Sequence, residues 1–484
     1  MSISASLSNA LSGLTAASRQ AEVISSNVSN ALTPGYARRR VELSAESLAG
    51  RGAGVRVDGV TRVVDQYLLA DRRLADADAA NSNVRTAFLN SLEKAIGAPG
   101  ESGSLSDQFA ALDAAFVQTA SRPDSQARLQ QVVSTPYSLA QKFNSLSDTI
   151  QQSRMMADDD IANQVDDLNR SLAQIDQLNS DILAERSSGR DATALMDQRQ
   201  RAIDHVAGIV PIREVARNRD QVAIYTTGGA VLLDGNPAVI GFNPVSTITA
   251  DMTKASGALS GLSINGVQID TSERGPLGGG TLGAQFAIRD DLAPGTQTQI
   301  DALARDLIER FQQPSVDPSL STGQPGLFTD RGNIADPLYE AGLAGRIDVN
   351  AIADPARGGA LWRLRDGLGA AAPGDVGNGA LLSAYSDALA QKLVPVSGGF
   401  TGSARSAGGL AADVLSNVAG KRQSAEAAQS YASARQSSLV QQELQDGVDT
   451  DAELQHLMQV EQAYAANSRV IQTIDDMMKQ LIGL

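Results

Sequence analysis

The sequence predicts a mainly α protein in which the terminal helices pair as a coiled coil, long helices form a bundle body, and a β-rich module is inserted into that body. Three observations lead to this prediction. Apolar residues recur in steps of three and four at both ends and again in the middle of the chain. The period changes to strand-like alternation from about residue 213 to 284. Aromatic residues are only 4% of the 484 residues, so aliphatic seams between helices must supply the packing.

The first predicted element is a helix with an apolar seam close to the N-terminus. The seam residues are Ile3, Leu7, Ala10, Leu14, Ala17, Ala21, Ile24, Val28 and Ala31. Pro34 disfavours helix at the residue before it and Gly35 turns freely, so the helix ends there. The opposite side carries the hydroxyl groups of Ser4, Ser8, Ser12, Thr15, Ser18, Ser25 and Ser29. Ahead of Arg38 only Arg19 and Glu22 are charged, so we expect this side to pack on other protein.

The last predicted element is a second seam helix at the C-terminus. Its seam residues are Leu457, Val460, Tyr464, Asn467, Ile471, Ile474, Met478 and Leu481. An amide inside such a seam fixes register at some cost in stability, so Asn467 is expected to select the alignment of the pair. Pattern alone leaves open that both helices belong to one ordinary globular domain. The Ala-rich N-terminal seam buries little surface, which favours ordering of the ends on assembly.

The interior alternates between helical and β character. Val55 and Val57 ahead of Asp58-Gly59 predict a short β excursion that turns at the Asp-Gly pair. Residues 65–210 are predicted to be mostly helical, with one stripe formed by Ile161, Val165, Leu168, Leu172, Ile175, Asn179 and Ile182. Beyond it, short strands on either side of a Gly-Gly pair at 228–229 begin the β module.

These patterns predict a discontinuous domain organisation. The predicted parts are a terminal coiled-coil domain (1–45 and 440–484), a helical body (46–212, 285–312 and 376–439), a β-rich insertion (213–284), and an irregular segment or small lobe (313–375).

Two segments carry a family resemblance. The segment from Ser26 to Arg38, which contains Asn30-Ala31-Leu32-Thr33-Pro34-Gly35-Tyr36, resembles the N-terminal signature of the flagellar rod, hook and hook-associated axial proteins. The usual form is S-N-N-I-A-N-A-x-T-P-G-Y-x-R, so Val28 and Ser29 depart from it. The segment from Gly447 to Thr473 resembles the matching C-terminal signature. Within that family, Asp197-Gln198-Arg199 and the segment from Gly279 to Asp290 resemble the hook-associated members at the hook–filament junction.

The resemblance implies a structural subunit, not an enzyme, with no cofactor. It implies export through the flagellar type III channel without a cleaved signal peptide, and a place outside the cell in the flagellum. The implied partners are copies of itself in a ring, the hook protein, the second hook–filament junction protein, and an export chaperone at the C-terminal helix. The implied assembly interface comprises Ile3, Leu7, Leu14, Ile24, Val28, Leu457, Val460, Tyr464, Asn467, Ile471, Ile474, Met478 and Leu481. The family signature turn comprises Asn30, Thr33, Pro34, Gly35 and Tyr36.

The overall charge argues against two classes of partner. A formal net charge of -15 repels nucleic acid phosphates and anionic membrane faces, so neither is expected as a partner. The chain has no cysteine, which excludes disulfides, thiolate metal sites and cysteine nucleophiles.

Motifs for chemistry are weak. Gly278, Gly280 and Gly283 spell the dinucleotide fingerprint, but no buried strand leads into them. Glu453 and His456 give half of a di-iron motif without a second half. Neither the paired carboxylates of a muramidase nor a Ser/His/Asp set can be singled out. The alternatives left open are a hook or distal rod protein, which share both end signatures, and a secreted coiled-coil adhesin.

Overall fold

The structure is a computed structural model that describes residues 3–48, 51–400 and 402–483. Its helices are α1 (Ile3–Asn30), α2 (Gln66–Ile96), α3 (Leu105–Ala120), α4 (Gln126–Ser187), α5 (Thr193–Ile209), α6 (Gly280–Ala287), α7 (Ala293–Phe311), α8 (Arg363–Asp366), α9 (Ala380–Ala390), α10 (Ala407–Gln445) and α11 (Thr450–Ile482). Its strands are β1 (Arg38–Leu48), β2 (Arg51–Val63), β3 (Ile212–Ala216), β4 (Val222–Thr226), β5 (Val231–Asp234), β6 (Asn236–Pro237), β7 (Ile240–Gly241), β8 (Ser263–Ile264), β9 (Val267–Gln268), β10 (Phe328–Asp330) and β11 (Ile347–Val349). The predicted fold class is confirmed: long helices dominate, the terminal helices pair, and small antiparallel sheets are inserted.

The two ends of the chain form one structural part. Helix α1 packs against α11 on one side and against the β1–β2 hairpin on another. Val23 of α1 contacts Val41 and Val60 of the hairpin in a small cluster of its own. Both strands therefore lie with the terminal helices, so the hairpin crosses the boundary predicted after residue 45.

The prediction of a turn at Asp58-Gly59 is wrong. Both residues lie inside β2, at a bulge where Glu42 pairs with Gly59 and Leu43 pairs with Val57. The bulge frees Asp58, whose carboxylate accepts hydrogen bonds from Arg56 at 2.8 Å and Ser44 at 3.0 Å. A bulge leaves one residue unpaired, and a short polar residue followed by Gly suits it as well as it suits a turn.

The body is built around α4, a helix of 62 residues. Its first half, from Leu129 to Ala157, enters a core shared with α3, α7, α9 and α10, in which Phe116, Phe311 and Tyr385 pack ring against ring. Its second half enters another core, shared with α5, α6 and the β module. The predicted stripe from Ile161 to Ile182 is buried throughout, which confirms that part of the periodicity.

The β module is a four-stranded antiparallel sheet in the order β3-β4-β5-β6 beside a small three-stranded one, β7-β8-β9. The predicted strands on either side of Gly228-Gly229 are confirmed as β4 and β5. Gly280 begins α6 with φ +60°, where a Cβ would lie 2.2 Å from the carbonyl oxygen of Ile209. The Gly-rich segment therefore allows α6 to pack on the end of α5, and no strand leads directly into it.

Two buried arginines attach the β module to the body. Arg289 is fully buried; its guanidinium donates to Asp158 at 2.6 Å and to the carbonyl oxygen of Ser260 at 2.9 Å. Arg154 donates to the carbonyl oxygens of Thr249 and Met252, at 3.0 and 2.5 Å. The loop between β7 and β8 has little secondary structure, so its backbone carbonyl groups lack partners in a sheet. The two arginines donate the hydrogen bonds that these buried carbonyl oxygens need.

The segment 313–375 consists of short turns of helix and the two-stranded β10–β11 sheet. Its attachment to α7 depends on Asp301, which is 2% exposed. The Asp301 carboxylate accepts hydrogen bonds from the backbone N–H groups of Gly342 and Ala344, at 2.7 and 2.8 Å, and from Gln297 at 2.8 Å. Burial nevertheless raises the pKa of Asp301 to about 6.

The raised pKa of Asp301 predicts a pH-dependent stability. The carboxyl group of Asp301 holds its proton more tightly in the folded state than in the unfolded chain. Protonated Asp301 therefore stabilises the fold fully below about pH 4, and this stabilisation is lost as the pH rises through about 6. Between pH 7 and pH 4 the unfolding free energy of the wild type should gain about 2 kcal/mol relative to Asp301→Asn, which cannot titrate. The fluorescence of Trp362, the one tryptophan of the chain, reports urea unfolding of this segment. Parallel pH profiles of the two proteins would contradict the prediction.

No helix in the described ranges combines the length and the apolar character that a membrane crossing requires.

Candidate assembly interface

The seam of α1 is largely where the sequence places it. Ala10, Ala17 and Ile24 are buried, and Ala17 and Ile24 share a cluster with Val460 of α11. Ile3, Leu14, Ala21, Val28 and Ala31 are half-buried. Leu7 is 40% exposed, so this position of the seam is only partly covered.

The seam of α11 is covered along only part of its length. Val460 and Ile474 are buried, and Leu457, Asn467 and Ile471 are half-buried. Tyr464, Met478 and Leu481 are 50, 44 and 60% exposed. The helices run antiparallel, because α1 residues near Ile24 lie by the start of α11 and Gly13 lies at Asn467. This direction places Met478 and Leu481 beside the first turn of α1, where little of that helix is left to cover them.

Asn467 lies in the seam against a glycine. A Cβ on Gly13 would lie 2.7 Å from Nδ2 of Asn467 and 2.9 Å from its Cγ. The amide donates to the carbonyl oxygen of Ala463, in its own helix, at 3.0 Å. Gly13 costs helix propensity and supplies the space that Asn467 occupies. The sequence gives no sign of this pairing, because it depends on which residue of α1 stands opposite.

Replacing the amide should change how the ends associate. Asn467→Leu removes a group that penalises wrong alignments and adds apolar surface, so the variant should self-associate where the wild type is monomeric. Gln472→Leu, on the exposed side of the same helix, adds the same surface outside the seam and serves as the control. Sedimentation velocity measures both. A purely monomeric Asn467→Leu protein would rule out the role in selecting the alignment.

The hydroxyl-bearing side of α1 faces outward. Ser8, Thr15, Ser18, Ser25 and Ser29 are exposed. Ser12 differs, because its Oγ accepts a hydrogen bond from the backbone N–H of Val55 at 3.2 Å and so lies against the hairpin. The five exposed positions are accessible to other protein, and their contact with a neighbouring subunit stays a prediction.

The family signature turn folds the chain back from α1 into β1. The Tyr36 hydroxyl donates to Oδ1 of Asn27 at 2.9 Å, and Asn27 exchanges two hydrogen bonds of 2.9 Å with the backbone of Arg39. Asn27 is 1% exposed, so it links helix, turn and strand from inside. Asn27 stands in the quoted signature, but the sequence did not mark it as part of the site. Burial raises the pKa of the Tyr36 hydroxyl above its ordinary value.

The other signature residues support the same turn. The Asn30 side chain donates to the carbonyl oxygen of Ser26 at 2.9 Å and accepts from the Thr33 hydroxyl at 3.3 Å. Gly35 has φ +75°, a conformation that favours Gly. At the other end of the chain, Asp449 caps α11 by accepting from the backbone N–H groups of Asp451 and Ala452, at 3.0 and 3.1 Å. Both end signatures thus encode the boundaries of the terminal helices.

Comparison with known proteins matches both ends and the middle of the chain to flagellar families. The model of the flagella basal body rod protein matches residues 7–36, and the C-terminal model of the flagellar basal body rod FlgEFG proteins matches residues 445–484. The model of the helical domain of the flagellar hook-associated protein FlgK matches residues 89–326. In its middle part the chain is similar to the flagellar hook-associated protein 1 family, and at its two ends it is similar to the flagellar rod families.

The relatives of this chain are distant in sequence. Flagellar hook-associated protein 1 of Bacillus subtilis is 24% identical over 373 residues, which are 71% of this chain and 73% of that protein. The Escherichia coli protein of the same name is 22% identical over 64% of this chain and 56% of its own length. This chain thus spans little more than half of the E. coli relative. The solved structure of the flagellar hook junction protein FlgK from Burkholderia pseudomallei aligns with 54% of this chain and 46% of its own, at 18% identity and a TM-score of 0.45.

Proposed function

We propose that this protein is a structural subunit that joins the flagellar hook to the filament and assembles through its terminal helices. The observation that supports this most is the apolar surface that α11 leaves uncovered. Leu454, Met458, Tyr464, Val470, Met477, Met478 and Leu481 are each 41–60% exposed. So many exposed apolar side chains on one helix are costly in water and are typical of a helix that another protein covers.

The uncharged outer side of α1 supports the same proposal. A helix that faces water normally carries Lys and Glu on that side, whereas α1 carries hydroxyl groups. Small hydroxyl residues allow close approach of a neighbouring helix at little desolvation cost. We propose that copies of this chain pack side by side through these two helices into a ring.

The middle of the chain separates the junction role from that of hook or rod proteins. Both end models are described as rod proteins, so the ends alone fit any axial component. The helical domain between residues 89 and 326 matches the hook-associated protein instead. We therefore propose contacts with the hook protein on one side and the second junction protein on the other. An export chaperone would cover the apolar side of α11 before secretion without a cleaved signal peptide.

We propose a structural rather than an enzymatic role, because the relatives carry the names of flagellar structural proteins. The position in the flagellum is tested by immunogold labelling of isolated hook–basal bodies, with antibodies against the body of the subunit. Gold should lie at the distal end of the hook. Label along the whole hook or in the rod would favour a hook or rod protein. A strain that lacks the gene is the control for antibody specificity.

A further inference from the structure

The hairpin and the signature turn meet the body at a single turn of α5. Asp197, 4% exposed, accepts hydrogen bonds from three donors on the terminal part. Its Oδ1 accepts from Nε of Arg62 at 2.7 Å and from the backbone N–H of Ala37 at 3.4 Å. Its Oδ2 accepts from Nη2 of Arg39 at 2.9 Å. One buried carboxylate therefore contacts both strands of the hairpin and the residue that follows Tyr36.

The neighbours of Asp197 complete this contact. Gln200, one turn further along α5, accepts a hydrogen bond from Nη2 of Arg62. A Cβ on Gly35 would lie 2.6 Å from Cγ of Arg201, so the signature turn comes close to the same helix. We call Arg39, Arg62, Asp197 and Gln200 the clasp. Because the turn, the hairpin and α5 meet there, the clasp is positioned to set the angle between the terminal part and the body.

The other side of α5 is fixed to the body. Arg199, two residues after Asp197, donates to Oδ1 of Asn179 on α4 at 2.8 Å and to the carbonyl oxygen of Asp220 at 2.6 Å. Asn179 in turn donates to the carbonyl oxygen of Val222 at 3.0 Å. The first and last residues of the Asp-Gln-Arg segment thus face in two directions, Asp197 toward the terminal part and Arg199 toward α4 and the β module.

The negative charge of Asp197 is needed to keep Arg39 and Arg62 in place. Burial lowers the pKa of Arg62, and the nearby Asp197 carboxylate offsets part of that effect. Without this carboxylate, the side chains of Arg39 and Arg62, 17 and 12% exposed, would lack their counter-charge and would move toward water. Arg19 of α1 also reaches Asp191 ahead of α5, but at 3.4 Å and with both side chains 35% exposed this pair contributes little.

We propose that Asp197 is a positioning residue that holds the terminal part and the body in one relative orientation. Resting on the proposed function, this inference adds that every subunit of the ring then directs its body away from the axis at the same angle. The Asp-Gln-Arg segment is a joint between two structural parts. Without the Asp197 carboxylate, the terminal part is attached to the body by the chain connections, the Gln200 contact and the weak Arg19–Asp191 pair, which permit a range of orientations.

The test measures distances in the free subunit. The chain has no cysteine, so Ala45→Cys on β1 and Ser145→Cys on α4, both exposed, accept spin labels at chosen sites only. Pulsed electron–electron double resonance should give a narrow distance distribution for this labelled protein. Asp197→Asn should broaden it at least twofold, and Arg62→Gln should also broaden it. Asp148→Asn, an exposed carboxylate of α4 with the same change in charge, is the control and should leave the width unchanged.

A conservative variant separates the charge from general damage. Asp197→Glu keeps a carboxylate at this position. Its distance distribution should lose at least half of the extra width that Asp197→Asn introduces, although the mean distance should shift. An Asp197→Asn distribution as narrow as that of the parent would overturn the proposal, and so would an Asp197→Glu distribution as broad as that of Asp197→Asn. If Asp197→Asn fails to fold by circular dichroism, Arg62→Gln decides in its place. The measurement needs no flagellum, so its result is independent of the gold labelling that tests the proposed function.

Discussion

Deleting residues 457–484 is expected to leave a soluble, folded subunit that no longer joins hook to filament. Among the described residues, the two main cores contain side chains of α2–α10 and of the β module, and none from α1 or α11. Removing most of α11 uncovers Ala17 and Ile24 but leaves Val23 on the hairpin. The truncated protein should therefore keep the thermal unfolding of the body, while cells that carry it swim poorly and shed filament protein.

Three measurements make this prediction decisive. Circular dichroism of the purified truncated protein reports whether the body folds. The amount of truncated protein in the culture medium reports whether it is still exported. Motility in soft agar reports assembly, with the full-length gene and Glu461→Gln, a change on the exposed side of α11, as controls. Normal motility of the truncated strain would contradict the assignment of α11 to assembly.

Removing the buried guanidinium of Arg289 should give the largest loss of stability of any single change at the contact between the β module and the body. Arg289→Leu leaves Asp158, fully buried, without its counter-charge. It also removes the bidentate pair with Asp290, at 2.8 and 2.9 Å, and the contact of the guanidinium with the Phe286 ring at 4.9 Å. Breaking one side of a buried ion pair typically costs about 3–5 kcal/mol. Urea unfolding followed by circular dichroism measures this cost.

Two further variants test whether the unpaired buried charge causes the loss of stability in Arg289→Leu. Arg170→Leu removes an exposed arginine of α4 and should change stability by less than about 0.5 kcal/mol. Arg289→Leu combined with Asp158→Leu should recover part of the loss, because no unpaired charge stays buried. Limited proteolysis should cut the loop between β7 and β8 of Arg289→Leu first. An Arg289→Leu protein as stable as Arg170→Leu would contradict the role of the pair.

The spacing of apolar residues in the sequence predicts well which side of each single helix is buried. The stripe of α4 from Ile161 to Ile182 is buried as predicted, because a helix 62 residues long must place a regular stripe inside. The same rule gives Ala17 and Ile24 in α1. The same periodicity did not predict that Leu481 is exposed, because its exposure depends on where the partner helix α1 begins.

Contacts between distant residues were not predictable from local pattern. Gly13 opposite Asn467 follows from the antiparallel alignment of helices that are more than 400 residues apart in sequence. Arg154 and Arg289 are buried although arginine is normally a surface residue, and only the carbonyls and carboxylates around them explain it. The role of Asn27 depends on Tyr36 and Arg39 folding back onto it.

The continuous α4 helix has a mechanical consequence. At about 1.5 Å per residue its 62 residues extend over about 90 Å, and its two halves enter different cores. A torque applied to one core is transmitted to the other through the helical backbone rather than through a flexible linker. Pro136, which has no N–H to donate, lies near the start of α4 and not between the two cores. In a rotating flagellum, the two cores of this subunit would therefore twist together as one stiff unit, and bending would be concentrated at the two ends of α4.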